Sequence, residues 1–180
     1  MSGRLIVVVG PSGAGKDTVI DALCAARPDL IRARRVITRP SEAGGEDFEG
    51  VTEADFDTRV AAGAFALHWG AHGLRYGIPV EIDRHLAAGR DVMFNGSRGI
   101  LTTALARYPD MRTLFVTADA DVLAARLNER GREDAEDIAR RLKRADYAIP
   151  AGVNMVRIDN NGTVQAAVDA ALSALYPARV

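Results

Sequence analysis

The sequence predicts an α/β fold in which a parallel sheet is flanked by helices, and three observations carry that expectation. Continuous apolar runs, of the kind buried on both faces of a sheet, alternate with stretches of helical period along most of the chain. The first run, Leu5 to Val9, breaks at once into a glycine-rich turn followed by an amphipathic stretch. The length of 180 residues suits one hydrophobic core, so a single domain over residues 1–180 is expected.

Leu5 to Val9 is the first strand. A helix follows from about Gly15 to Arg27, where Val19, Ile20, Leu23 and Cys24 share one face and Pro28 ends the run. Arg39 comes after the apolar Val36 and Ile37 and before Pro40. That order places it at the exit of a strand, on the edge where open α/β sheets bind ligands, with Thr38 as a hydrogen-bonding neighbour. From about Pro40 to Pro79 the rhythm breaks. This stretch opens with the glycine-rich Ser41-Glu-Ala-Gly-Gly-Glu-Asp47 and carries Thr52-Glu-Ala-Asp55, a helix start resembling a capping box. It reads as a small inserted lid over a substrate, with Phe48, Phe65 and Trp69 as its core. Further strands are expected at Asp91 to Asn95, Thr113 to Thr117 and Val153 to Ile158. Helices are expected over Ser97 to Arg107, Asp119 to Arg130, Asp134 to Ala148 and Thr163 to Leu175.

Hydrophobic residues make up 48% and charged residues 26%, an ordinary globular composition. A formal net charge of -1 leaves no electrostatic footprint for a nucleic acid, so none is expected as a partner. Leu5 to Val9 is too short for a signal core or a membrane span, and a cytoplasmic location without membrane attachment is expected. Cys24 has no second cysteine to pair with, which fits a reducing compartment. His68 and His72 lack the cysteines or carboxylates that would complete a metal set. Of 23 cationic residues 21 are Arg, and Lys occurs only at Lys16 and Lys143.

That scarcity bears on the turn after the first strand. Gly10, Pro11, Ser12, Gly13, Ala14, Gly15 and Lys16 match the G-x-x-x-x-G-K pattern of a phosphate-binding loop, or Walker A motif, in the strand-to-helix setting that the pattern requires. Backbone N–H groups of such a loop converge on nucleotide phosphates, the helix end adds positive potential, and Lys16 bridges the terminal phosphates. ATP and Mg2+ are therefore expected, bound over Gly10 to Thr18. Asp17 stands where the pattern has a hydroxyl residue, and Thr18 points about 100° away on a helix. A carboxylate is a good magnesium ligand, so Asp17 is the candidate metal residue. The later strand ends in Asn95 rather than an acid, and Asp17 is expected to have taken over that charge.

Phosphoryl transfer asks mainly for positioning and for cations around the moving group. Arg126, Arg130 and Arg132 cluster around Gly131, and Arg140, Arg141 and Arg144 follow on the next helix, an arrangement suited to swinging over a nucleotide.

The loop at Gly10 to Lys16, Ile37-Thr-Arg39, Tyr76-Gly77, Arg126-Leu127 through Arg130-Gly131 and Arg141-Leu142 together resemble the guanylate kinase superfamily, in order and over nearly the whole chain. The resemblance implies a P-loop NTPase fold with a five-stranded parallel core, a substrate lid at about 40–79 and an Arg-rich ATP flap at about 130–141. It implies that Arg39 meets the substrate phosphate and that Arg130 and Arg141 act from the flap, making Lys16, Arg39, Arg130 and Arg141 the catalytic set. Guanine recognition does not carry over. The base-reading Glu falls on Leu67, the hydroxyl after Tyr-Gly on Ile78, the acidic pair of the third strand on Asn95 and Ser97, and a phosphate-binding Tyr on Phe48. A site built to hydrogen-bond a base loses discrimination steeply without those groups.

The Asp17 variant of the loop, Ile37-Thr-Arg-Pro40, His72-Gly-Leu-Arg-Tyr-Gly77, Val80-Glu-Ile-Asp83 and Asn95-Gly-Ser-Arg98 resemble more closely the ribose 1,5-bisphosphate phosphokinases of bacterial phosphonate breakdown. That likeness implies ATP-dependent phosphorylation of a sugar bisphosphate to 5-phosphoribosyl 1-diphosphate. Arg39, Arg75, Tyr76, Asn95, Ser97 and Arg98 are the residues suited to its hydroxyls and phosphates. A guanylate kinase with altered base reading and a non-catalytic binding module are the other two readings; modules of that kind have usually lost the phosphate loop, which is present here. Oligomeric state is not readable from the sequence.

Overall fold

The computed structural model describes residues 2–129 and 149–177. In chain order its strands are β1 (Leu5–Val9), β2 (Ile31–Arg32), β3 (Arg35–Ile37), β4 (Phe48–Gly50), β5 (Phe65–Ala71), β6 (Leu74–Pro79), β7 (Val92–Asn95), β8 (Arg112–Thr117) and β9 (Met155–Asp159). The helices are α1 (Lys16–Ala26), α2 (Glu53–Ala61), α3 (Ile82–Ala87), α4 (Leu101–Arg107), α5 (Ala120–Glu129) and α6 (Val164–Leu175).

Five strands in the order β2-β7-β1-β8-β9 make one sheet, and every pairing in it is parallel. β1 lies at the centre with all five residues buried, as an unbroken aliphatic run demands. Its side chains alternate between the two faces. Leu5, Val7 and Val9 join Phe94, Ile100 and Leu101 on one side, while Ile6 and Val8 meet Val19, Ile20 and Leu23 of α1 and Val168 and Ala171 of α6 on the other. Burial of each such aliphatic contributes on the order of 1.5–3 kcal/mol. The strands expected at Leu5 to Val9, Asp91 to Asn95, Thr113 to Thr117 and Val153 to Ile158 and the helices expected at Gly15 to Arg27 and Thr163 to Leu175 stand close to their anticipated places, and the five-stranded parallel core is as expected.

Four strands in the order β4-β3-β6-β5 form a second, mixed sheet. β5 and β6 are a hairpin whose two-residue turn, His72 at φ 53° and Gly73 at φ 72°, has the left-handed backbone that a tight hairpin needs. Thr52 caps α2 by accepting a hydrogen bond from the Asp55 N–H at 3.1 Å, as its sequence suggested. Two expectations need correction. The strand bearing Val36 and Ile37 is not part of the open parallel sheet: it pairs with β4 and β6, so the second sheet begins at Arg35 rather than Pro40. An apolar strand reads the same whichever sheet it joins, and only pairing partners decide. The helix expected from Ser97 opens instead as a 3-10 turn at Arg98–Ile100 before α4, because Gly96 and Gly99 weaken a helical start. α3 and β2 are too short to announce themselves by periodicity. The expected helix Asp134 to Ala148, with Arg130, Arg132, Arg140, Arg141 and Arg144, lies outside the described residues. Among the described residues no helix is long and apolar enough to cross a membrane.

Candidate active site

The turn from β1 to α1 runs at the carboxyl end of the parallel strands, where such sheets bind ligands. Gly10 is required there by a close approach, since a Cβ at that position would lie 2.0 Å from the Val116 carbonyl oxygen of neighbouring β8. Gly15 is required twice over: its φ is +85°, and a Cβ would meet Asn160 Nδ2 at 2.7 Å. Lys16 folds back over the turn, its Nζ donating to the carbonyls of Gly10 at 2.9 Å and Pro11 at 3.1 Å.

The loop is braced from behind by residues that the sequence did not single out for that task. Asn160, at the end of β9 and 3% exposed, donates from Nδ2 to the Ala14 carbonyl at 2.7 Å. Arg126 of α5 donates to the Asn160 carbonyl at 2.8 Å and to the Gly13 carbonyl at 3.4 Å. Arg126, grouped by sequence with the arginines over the nucleotide, is found against the phosphate loop. No motif marks Asn160; its role follows from the parallel order that sets β9 beside β8, next to β1.

Asp17 sits in the first turn of α1 with its side chain 34% exposed. Asn95, the last residue of β7, donates from one amide nitrogen to both Asp17 oxygens at 3.0 and 3.1 Å. Arg32 of β2 adds a contact at 3.1 Å to Oδ1. Positions 17 and 95, the two at which the residue departs from the expected pattern, are thus hydrogen-bonded neighbours in space. Thr18 is exposed on α1.

A cavity of about 780 Å³ opens between the two sheets. Its walls are Gly10, Pro11, Ser12 and Lys16 of the loop, Asn95 to Gly99 after β7, and Arg35, Trp69 to His72 and Tyr76 of the second sheet. The sequence candidates Ser12, Lys16, Tyr76, Asn95, Ser97 and Arg98 are therefore brought together. Arg39 and Arg75 do not line it. Arg75 turns toward α2, where it is bonded to Asp57 at 2.5 Å and Glu53 at 3.4 Å and lies over the Phe56 ring. The Asp57 hydrogen bond raises its pKa above the ordinary arginine value. Arg39 lies over the Phe48 ring, 4.2 Å from the centroid, and donates from Nη2 to the Gly44 carbonyl. Its Nε is buried without a hydrogen-bond partner, a donor left unsatisfied.

Arg35, which the sequence did not flag, is the buried cation of the cavity. Leu67 and Ile78 face each other across the β5–β6 pair, 2% and 0% exposed. Both are built into the apolar core. Phe48 is buried in the second sheet and Phe65 packs at a tilt on the Phe56 ring of α2 at 4.7 Å, whereas Trp69, also expected as core, stacks on Tyr76 at 5.3 Å and lines the cavity. Among the described residues no group of three His, Cys, Asp or Glu side chains is arranged to hold a metal.

A parallel sheet with a glycine turn and lysine at its carboxyl edge, facing a smaller sheet across a cavity lined by Lys16, Arg35 and Arg98, defines a P-loop phosphotransferase. The chain belongs to the guanylate kinase family, whose model matches residues 2–171. Within that family the particular relatives are more telling. The chain is 51% identical over 167 residues to ribose 1,5-bisphosphate phosphokinase PhnN of Ruegeria sp. (strain TM1040), covering 92% of this chain and 88% of that one. It is 48% identical to the PhnN of Pseudomonas paraeruginosa (strain DSM 24068 / PA7), covering 96% and 95%. Among solved structures the guanylate kinase of Anaplasma phagocytophilum superposes with a TM-score of 0.69 at 17% identity, over 97% of this chain and 85% of that one, a likeness of fold.

Proposed function

We propose that this phosphotransferase moves the γ-phosphoryl group of ATP onto the 1-phosphate of ribose 1,5-bisphosphate, giving 5-phospho-α-D-ribose 1-diphosphate and ADP. One observation carries the choice of acceptor. Two of the positions at which a guanylate kinase would read guanine are Leu67 and Ile78, an apolar pair buried against each other with no hydrogen-bonding side-chain group. The names of the similar PhnN enzymes support the same acceptor.

An ionised oxygen of the acceptor 1-phosphate attacks the γ-phosphorus as the bond to the β–γ bridging oxygen breaks, and the electron pair leaves with ADP. No general base is needed, because the attacking oxygen already carries its charge. Lys16 holds the β- and γ-phosphates over backbone N–H groups of the phosphate loop, to which Pro11 contributes none. Asp17 offers a carboxylate at the start of α1, its orientation set by Asn95 together with Arg32. One carboxylate completed by phosphate oxygens and water is the environment Mg2+ accepts, so the residues present fit that ion. When bound, it would neutralise charge developing on the phosphates. Asn95, Ser97, Arg98 and Tyr76 supply polar groups for the sugar hydroxyls and phosphates. The unsatisfied Nε of Arg39 is a donor that an acceptor phosphate would satisfy, whereas Arg75 would have to leave Asp57 and Glu53 to take part. Arg130 and Arg141, which lie outside the described residues, are the cations that the family resemblance assigns to the transferring group. The cations Lys16, Arg35 and Arg98 around the cavity suit a small anionic substrate, and the proposed setting is the cytoplasm, within phosphonate breakdown, without nucleic acid or membrane as a partner.

Incubation of the purified chain with ATP, Mg2+ and ribose 1,5-bisphosphate, followed by 31P NMR, tests this. New diphosphate resonances coupled to the sugar, growing as the γ-phosphate signal disappears, are the expected result. ATP consumed only when GMP is present would overturn it.

A further inference from the structure

Arg35 is the cation of the cavity to which the scheme above gives no task, and it stands where the two sheets meet. It opens β3, its side chain is 10% exposed, and its guanidinium reaches three parts of the fold. Nε donates to Glu46 Oε2 at 2.9 Å and Nη2 to Glu46 Oε1, a fork onto the loop ahead of β4. Nη1 donates to the Asn95 carbonyl at 2.9 Å, at the end of β7 in the parallel sheet. The guanidinium also lies over the Tyr76 ring, 4.9 Å from its centroid, and that ring stacks on Trp69.

A buried charged pair is a poor way merely to glue two sheets together. Desolvating both partners offsets most of their attraction, and apolar side chains of similar volume hold a joint as well. A bidentate fork adds direction, since its two parallel bonds fix an angle as well as a distance. The direction here is passed on. Asn95, fixed through its carbonyl by Arg35, grips both oxygens of Asp17 through its amide. A line of bonds therefore runs from Glu46 through Arg35 and Asn95 to Asp17 at the first turn of α1.

We propose that Arg35 is a positioning residue for the transfer. It sets the acceptor wall of Trp69 and Tyr76 against the phosphate loop and, through Asn95, aims the carboxylate of Asp17, without touching the reacting atoms. The proposal rests on the acceptor assignment above.

Trp69 is the single tryptophan of the chain and lines the cavity, so its fluorescence reports acceptor binding without turnover. Full-length wild type, Arg35→Met, Arg35→Lys and Glu46→Gln are compared by Trp69 titration with ribose 1,5-bisphosphate, by calorimetric binding of ATP with and without Mg2+, and by turnover. For Arg35→Met the acceptor Kd and the Mg2+ concentration that half-saturates ATP binding should each rise about tenfold, and kcat should fall about 100-fold, the range typical of groups that orient a metal ligand. ATP binding without Mg2+ should stay within about twofold, since the phosphate loop itself is unaltered. Arg35→Lys keeps the charge but not the fork, so it should recover part of each loss. Glu46→Gln turns a donor toward the guanidinium and should shift both constants in the same direction.

Unchanged titrations in Arg35→Met would overturn the proposal. So would a uniform loss of ATP binding, equal with and without Mg2+, which marks a merely structural residue. If Arg35→Met does not fold, Arg35→Lys decides: a raised Mg2+ requirement supports the role and wild-type constants overturn it. Failure of the wild type itself to bind ribose 1,5-bisphosphate would fault the acceptor assignment, and the Mg2+ titration alone would then decide for or against Arg35.

Discussion

Lys16 and Asp17 are adjacent in sequence and stand for two different degrees of legibility. Lys16 was fully readable, because a G-x-x-x-x-G-K run between a strand and a helix has one common use. Its replacement in Lys16→Ala should lower turnover by about 10²–10⁴-fold, the scale of a lost charge-stabilising group, while thermal unfolding stays near wild type. Asp17 looked like a defect in the motif, and its proximity to Asn95 gives that departure a physical sense. Asp17→Ser restores the usual residue but leaves Asn95 without its acceptor. The Mg2+ concentration needed for half-maximal ATP binding should change by about tenfold; an unaltered requirement would remove Asp17 from the metal site. Arg39 and Arg75 show the limit of reading by residue type. Both are arginines near strand ends, yet Arg75 spends its charge on Asp57 and Glu53 while Arg39 keeps a buried donor unsatisfied. Neighbours contributed by distant segments decide such matters, and no local pattern encodes them.

The elements that carry the site are held by contacts between distant parts of the chain. Asn160 ties the end of β9 to the phosphate loop, so Asn160→Ala should weaken ATP binding by about tenfold and leave acceptor binding near wild type, measured by calorimetry of each ligand separately. Arg4, Asp91 and Tyr176 staple the start of β1, the approach to β7 and the end of α6. Burial alone would raise the Asp91 pKa, but the Arg4 side chain and backbone N–H together with the Tyr176 hydroxyl outweigh it and hold the carboxyl below its ordinary value. A carboxyl lowered in the folded state stabilises above its unfolded pKa and loses that contribution as pH falls through the lowered value. Asp91→Asn should therefore destabilise by about 1–3 kcal/mol at neutral pH, and the gap in Tm from wild type should shrink as the pH is taken into the acid range. Tyr176, bonded to Asp91, is pushed up to about 12 by burial first and Asp91 second, so it stays neutral throughout that titration. β1, α1, β8 and α6 were legible from periodicity and caps. The membership of β3 in the second sheet was not, because strand pairing is a long-range choice.

At the scale of the whole molecule, the sequence sufficed for the parallel core, and its departures from guanylate kinase chemistry pointed to a different acceptor. The structure adds the reason: Leu67 and Ile78 are packed into the core, and the cavity in front of them is walled by Arg35, Trp69, Tyr76 and Asn95. Neither Arg35 nor its partner Glu46 was visible beforehand, since their pairing joins the start of β3 to a loop that only folding brings near. The most direct test of the account compares kcat/KM for ribose 1,5-bisphosphate and for GMP with the same enzyme, ATP and Mg2+. A preference of at least about 10³ for the sugar bisphosphate is expected, because apolar Leu67 and Ile78 cannot replace the hydrogen bonds that a base-reading Glu and hydroxyl make to guanine. Equal or faster turnover of GMP would contradict the account.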